Sequence, residues 1–182
     1  MKKLILVITF VVGLVVQQSR AAEGQDISCS GYTFTLPEGW TFRNVPSQPY
    51  KVAYATEGVG AANIMFKTGQ IPGTYKVWVN KIIQEIVPGL SQSFTNVRIT
   101  NTQAFSTDDN LIGLKIEFEY KREDGSPVHQ CFYCFQIREP ASNIFGADTK
   151  AQIAQFICTT VGDDPAHASF DSIIRTFHKL NK

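Results

Sequence analysis

The sequence lacks the features that would point directly to a reaction. It contains only three histidines and four cysteines, and its 182 residues carry 17 Lys and Arg against 16 Asp and Glu. Such a balanced charge gives no indication of binding to nucleic acid or to an anionic membrane. Gly and Pro are too few for a fibrous protein, and a hydrophobic content of 43% is too high for a disordered chain. The composition predicts one globular domain.

Nucleotide-binding and hydrolase motifs are absent as well. The sequence has no P-loop, no G-x-S-x-G and no H-E-x-x-H. Gly58-Val59-Gly60 superficially resembles a dinucleotide-binding loop, but it precedes a strand-like segment instead of a helix. The phosphate site at a helix N-terminus would therefore be missing. We assign no catalytic residue, no cofactor-binding residue and no cofactor.

The apolar run near the start of the chain is too short to span a membrane. Leu4–Val16 has 13 residues, whereas a membrane-spanning helix needs about 20. This is the length of the apolar segment of a signal peptide, and Ser19 and Ala21 are the small residues that precede a cleavage site. We predict that residues 1–21 are removed, that residues 22–182 form one domain, and that this domain is exported to the periplasm or the extracellular space. The alternative is an uncleaved N-terminal anchor.

Hydrophobic periodicity predicts an α+β fold. Tyr75–Ile86 has the apolar stripe of a helix, and Asp164-Pro165 followed by Phe170–Phe177 predicts a second helix. Alternation with period two predicts strands elsewhere. These strands are Tyr32–Leu36, Lys51–Thr56, Ala61–Lys67, Phe94–Phe105, Ile112–Tyr120, Val128–Ile137 and Gln152–Val161. We predict a twisted antiparallel sheet of about six to eight strands with two main helices packed on it.

Cys131 and Cys134 form a C-x-x-C pattern inside an apolar strand. Redox C-x-x-C pairs lie at a helix N-terminus. Residues three apart in a strand are about 10 Å apart, beyond the limit of roughly 7 Å for a disulfide. A zinc site would need both cysteines with His129, but Cys134 points to the opposite face of the strand. The pattern predicts neither a redox centre nor a metal site.

An even number of cysteines in an exported protein favours structural disulfides. The strand spacing excludes Cys131–Cys134 and with it Cys29–Cys158, so two of the three connectivities remain. If the last two long strands are antiparallel neighbours with Cys131 opposite Cys158, the residues that follow also make sensible cross-strand pairs. We favour Cys131–Cys158 together with Cys29–Cys134.

Glu117 and Glu119 share one face of the predicted strand Ile112–Tyr120. Two such carboxylates could act as an acid–base pair. Acidic residues on the wet face of an antiparallel sheet are more commonly solvated, and we take that interpretation. His167 and His178 flank the apolar stripe of the last helix, and we expect both in solvent.

A long connection between residues 138 and 150 is the candidate binding loop. Loops of this length in a compact domain are usually functional or disordered. Ile144 and Phe145 form an apolar pair within it. We predict that a partner site, if present, uses this pair; the alternative is that both side chains pack into the core.

The opening of the mature chain resembles a known family. Tyr32-Thr-Phe-Thr-Leu-Pro37-Glu-Gly-Trp40 is similar to the F-x-x-P-x-G-W opening strand of the PsbP-like family, and Phe156-Ile-Cys-Thr-Thr160 followed by Phe170–Phe177 is similar to its last strand and helix. The family includes PsbP of the photosynthetic lumen, a eukaryotic Ran-binding protein and bacterial envelope proteins such as DcrB. The resemblance implies a twisted antiparallel sheet with packed helices, and it provides no catalytic residue.

Together these observations predict an exported, non-catalytic binding or assembly module of PsbP-like fold with a protein partner. They predict no nucleic-acid binding and no stable membrane insertion after signal cleavage. Two alternatives are an envelope enzyme that uses the cysteines and a structural subunit of an envelope complex.

Overall fold

A computed structural model describes residues 24–29, 31–44, 50–55, 62–138 and 150–180. The predicted signal peptide and the apolar pair Ile144 and Phe145 lie outside the described residues, so both proposals stay predictions. The Gly58–Gly60 segment lies outside the described residues as well. None of the helices in the described ranges has the length and hydrophobicity needed to cross a membrane.

Strands make up most of the described chain. They are β1 (Gln25–Cys29), β2 (Tyr32–Leu36), β3 (Trp40–Asn44), β4 (Tyr50–Ala55), β5 (Asn63–Pro72), β6 (Thr95–Ser106), β7 (Ile112–Lys121), β8 (Pro127–Arg138), β9 (Lys150–Val161) and β10 (His178–Lys179). The helices are α1 (Tyr75–Leu90), a 3-10 helix (Pro165–Ser169) and α2 (Phe170–Arg175).

The named strands form two sheets in which every pairing is antiparallel. The large sheet has seven strands in the order β3-β4-β5-β9-β8-β7-β6, and the small sheet has the order β1-β2-β10. A seven-stranded sheet agrees with the predicted six to eight strands. The separate three-stranded sheet was not predicted, and the second helix is shorter than expected because its first turn is a 3-10 helix.

The helix α1 follows from its sequence. The Thr74 side chain accepts a hydrogen bond from the backbone N–H of Val77 and caps the start. The helix continues four residues beyond the apolar stripe to Leu90, with Pro88 in its last turn. The helix buries Val79 and Ile86 against the large sheet.

Both faces of the large sheet are covered. On the α1 face, Ile116, Phe118 and Val128 pack with Ile86 of the helix. The opposite face, which we call the C-terminal face, carries the small sheet, the 3-10 helix and α2. Its core is aromatic: the Phe66 and Phe156 rings stack with their centroids 4.5 Å apart.

The register of β8 and β9 confirms the predicted pairing of these two strands. Cys131 pairs with Cys158 across β8 and β9, and Phe132 and Tyr133 pair with the two residues before it in β9. Alternation along β8 then places Cys131 on the C-terminal face and Cys134 on the α1 face.

Candidate functional site

A band of polar side chains crosses the C-terminal face of the large sheet. It is formed by β7 and β8, whose cross-strand pairs are Lys115 with Tyr133, Glu117 with Cys131, and Glu119 with His129. In the sequence this side of β7 was expected to face solvent. The 3-10 helix and α2 cover part of it instead, and the Lys115 side chain is only 8% exposed.

The 3-10 helix places His167 over this band. Asp164 caps the helix by accepting a hydrogen bond from the N–H of Ala166 at 2.9 Å, and Pro165 occupies the first helical position. The His167 ring lies 5.7 Å from the His129 ring, centroid to centroid. We call Lys115, Glu117, Cys131, His167 and Asp171 the polar cluster.

Lys115 is the charged centre of the polar cluster. Its Nζ lies 2.7 Å from Glu117 Oε1 and 2.9 Å from Asp171 Oδ1. Burial lowers the pKa of Lys115, but the hydrogen bonds to the two carboxylates outweigh burial, so its pKa is raised. Asp171 also accepts a hydrogen bond from the Tyr133 hydroxyl. The pKa of Asp171 is lowered because its hydrogen bonds with Tyr133 and Lys115 outweigh its burial.

Glu117 and Glu119 have separate partners. Glu117 Oε2 accepts a hydrogen bond from Asn101 Nδ2 at 2.8 Å. Glu119 forms an ion pair with Arg98, and its other oxygen lies 3.6 Å from His129 Nδ1. This arrangement is not that of two carboxylates held for acid–base catalysis.

The thiols of the C-x-x-C pattern are buried. Burial raises the pKa of Cys131 to about 12 and that of Cys134 to about 12, and it raises the pKa of Cys158 well above its usual range. A nucleophilic or redox-active cysteine needs a lowered pKa. These thiols are protonated at neutral pH and have the properties of core residues.

The predicted disulfides are wrong. Cys131, Cys134 and Cys158 are free thiols in the structure, so neither Cys131–Cys158 nor Cys29–Cys134 is formed. For the second pair the reason is geometric: Cys29 belongs to β1, in the small sheet on the C-terminal face, whereas Cys134 lies on the α1 face. The even cysteine count predicted disulfides that are not formed, although the predicted pairing of Cys131 with Cys158 across β8 and β9 is correct.

Two buried polar atoms in the described ranges lack a hydrogen-bond partner, Thr160 Oγ1 and His167 Nδ1. His167 was expected in solvent, but burial and the nearby His129 lower its pKa. Three ligand atoms lie within 4.8 Å of one another, one each from Glu117, Cys131 and His167. This spacing could hold a metal ion. No sequence motif indicates this group, because His167 is 36 residues beyond Cys131.

An apolar groove lies on the other face, between α1 and the start of β7. Its volume is about 360 Å³. The lining residues are Tyr75, Lys76, Val79, Asn80, Ile83, Thr102, Ile112, Gly113 and Leu114. We call this surface the α1 groove. The Ile112 side chain, which the strand pattern placed in the core, is 72% exposed. Tyr75 is fixed in the groove because its hydroxyl donates to the backbone carbonyl of Cys134 at 2.6 Å.

The architecture defines a class: an antiparallel seven-stranded sheet with a helix on one face and a small sheet with a short helix on the other. No protein-family model and no curated protein sequence matches this chain. Among solved structures, the fold is similar to that of the Saccharomyces cerevisiae Ran-binding protein Mog1p, with a TM-score of 0.50 and 9% identity over 87% of this chain and 96% of that chain.

Two further solved structures are similar at lower scores. A Mog1 variant matches with a TM-score of 0.49 and 9% identity over 87% of this chain and 97% of that chain. A Pseudomonas aeruginosa protein of unknown function, PA94, matches with a TM-score of 0.43 and 9% identity over 88% of this chain and 99% of that chain. At such identity the similarity to Mog1p shows the fold alone.

The assignment to the PsbP-like family is wrong. The fold is similar to that of Mog1p, and no family model supports PsbP. The motif that suggested the family describes local geometry: β2 ends at Leu36, Gly39 turns the chain with a φ of 83°, and β3 starts at Trp40. Strand–turn–strand sequences of this kind serve many antiparallel sheets and do not define one family.

Proposed function

We propose that this chain is a non-catalytic module that binds a protein through the α1 groove. The observation that carries the proposal is the exposed Ile112 side chain in a groove lined largely by apolar residues. A large apolar side chain exposed within an apolar concave surface is typical of a protein–protein contact. The similarity in fold to a Ran-binding protein supports a binding role but does not identify the partner.

We expect the partner to bind by inserting apolar side chains into the α1 groove and not by adding a strand to the large sheet. β6 is an edge strand of the large sheet, which would suit strand addition. Its pairing with β7 has register shifts between Thr95 and Arg98 and between Ile99 and Asn101. Bulges of this kind twist an edge and disfavour pairing with another chain. Lys76 at the groove favours an acidic residue beside the apolar ones.

The buried thiols support a non-catalytic role. An enzyme that used the cysteines would need a thiolate near neutral pH, and burial raises the pKa of Cys131 and Cys134 to about 12.

Ile112 and Val77 provide a matched test. Val77 is 62% exposed and is not part of the groove lining. A photo-crosslinking amino acid at position 112 should capture one specific partner in the native host, whereas the same probe at position 77 should not. The captured protein is then purified, and calorimetry measures its affinity for the wild-type chain, for Ile112→Ala and for Val77→Ala.

The size of the effect follows from the exposed area. Full burial of an isoleucine side chain is worth about 1.5–3 kcal/mol, so covering the exposed part of Ile112 is worth about 1–2 kcal/mol. Ile112→Ala should therefore weaken binding about 5- to 30-fold, and Val77→Ala should leave it unchanged. Equal effects of the two substitutions would refute the groove as the binding surface.

A further inference from the structure

Three donor atoms of different chemistry converge beneath the 3-10 helix. They belong to the carboxylate of Glu117, the thiol of Cys131 and the imidazole of His167, and all three lie within 4.8 Å of one another. Two features of the fold bring these donor atoms together. Pairing of β7 with β8 puts Glu117 opposite Cys131, and the Asp164 cap holds the turn that carries His167.

The unpartnered imidazole nitrogen is a second, independent observation. His167 Nδ1 is buried and has no hydrogen-bond partner in the described part of the chain. A buried polar atom without a partner costs free energy, and its presence in a native structure calls for an explanation. A metal ion held through Nδ1 would remove that cost.

We propose that Glu117, Cys131 and His167 bind a Zn²⁺ ion, with a water molecule as the fourth ligand. Zinc takes thiolate, imidazole and carboxylate ligands in tetrahedral geometry. Bonds of about 2.0–2.3 Å keep the ligand atoms about 3.3–3.8 Å apart. Side-chain rotations that close the donor separations by up to about 1.5 Å are sufficient to reach this geometry.

Charge balance supports the ion. The Cys131 thiol releases its proton to solvent when the sulfur–zinc bond forms, and the thiolate and the Glu117 carboxylate together neutralise Zn²⁺. Lys115 is the competing cation, since its Nζ contacts Glu117 Oε1 at 2.7 Å. When Glu117 turns to the metal, Lys115 keeps its second partner, Asp171, at 2.9 Å.

Cobalt substitution tests the proposal directly. The full chain, free of any purification tag and kept reduced, is titrated with Co²⁺, whose bond to a thiolate gives a charge-transfer band in the near ultraviolet. We expect one Co²⁺ per chain, the d–d bands of a tetrahedral ion, and displacement by Zn²⁺. Absence of the charge-transfer band, or no binding at all, would overturn the proposal.

Variants identify the ligands. Cys131→Ser should abolish the charge-transfer band, and Cys134→Ser, a matched buried cysteine on the opposite face of β8, should keep it. His167→Gln, at a partly exposed side chain, should weaken binding at least about tenfold and leave the circular dichroism spectrum unchanged. If Cys131→Ser does not fold, His167→Gln decides alone. Loss of the band in Cys158→Ser with its retention in Cys131→Ser would refute the ligand set.

Discussion

Phe177, which lies between α2 and the two-residue strand β10, should be one of the most important residues for stability. Its ring is fully buried and contacts the rings of Tyr32, Phe66, Phe135 and Phe156, with centroid distances of 5.1 to 5.6 Å. The Phe177 side chain closes the core between the two sheets.

The expected loss can be estimated from the contacts. Replacing a buried Phe by Ala costs about 3–5 kcal/mol in a packed core. Each aromatic pair adds roughly 0.5–1.5 kcal/mol, although such contributions are not additive. The four aromatic neighbours therefore place the loss for Phe177→Ala in the upper half of that range, at about 4–5 kcal/mol. The total stability of a domain of this size is about 5–15 kcal/mol. This one substitution should therefore remove a large share of the stability.

Urea unfolding at equilibrium measures this loss. Circular dichroism and tryptophan fluorescence should report the same transition in the wild type and in Phe177→Ala. Lys81→Ala is the control, because Lys81 and its partner Glu85 are exposed and their atoms are 3.8 Å apart. A loss below about 1 kcal/mol for Phe177→Ala would show that the C-terminal segment does not close the core.

Four further predictions follow from the structure and the sequence. Ile82 of α1 is only partly buried against the large sheet. Ile82→Ala should therefore cost about 1–2 kcal/mol in urea unfolding, less than the roughly 2–5 kcal/mol of a fully buried isoleucine. The pKa of Asp171 is lowered in the folded protein, so its ionised carboxylate stabilises the fold at pH values above the unfolded pKa of about 3.9. This contribution is lost as the pH falls through the folded pKa. Asp171→Asn should therefore lose less stability than the wild type between pH 7 and pH 3, measured by urea unfolding. Intact mass of the protein from its native host should show cleavage after Ala21, and a full-length species in alkali-extracted membranes would contradict cleavage and favour the uncleaved N-terminal anchor. If the connection between residues 138 and 150 is a partner site besides the α1 groove, Phe145→Ser should weaken binding without lowering the melting temperature, whereas a lower melting temperature would place Phe145 in the core.

Local patterns predicted the elements that depend on neighbouring residues. The period-two alternation found β7, β8 and β9, and the cross-strand pairs that follow from setting Cys131 opposite Cys158 are those of the structure. The apolar stripe and Thr74 found α1. In each case the signal lies within one element or between consecutive strands, where the side-chain period determines which residues face the core.

Features that depend on distant parts of the chain could not be predicted in this way. The strand β10 has two residues, His178 and Lys179, which pair with β2 across some 145 positions. Two paired residues leave no periodicity to detect. The polar face of β7 was expected in solvent because Glu117 and Glu119 are charged, but Asp171 of α2 provides Lys115 with a partner for burial.

The seam between β5 and β9 has a consequence for how the chain folds. The strands β3, β4 and β5 form one meander and β6, β7, β8 and β9 form another, and the ten residue pairs from Asn63–Thr159 to Pro72–Lys150 join the two. Pairing across such sequence separations has a high entropic cost and is slow. During synthesis on the ribosome, β5 remains an unpaired sheet edge until residue 161 has emerged. A nascent chain stalled before that point exposes β5 and β8, two strand edges that both pair with β9 in the complete sheet. It is in this interval that the protein depends most on protection from aggregation.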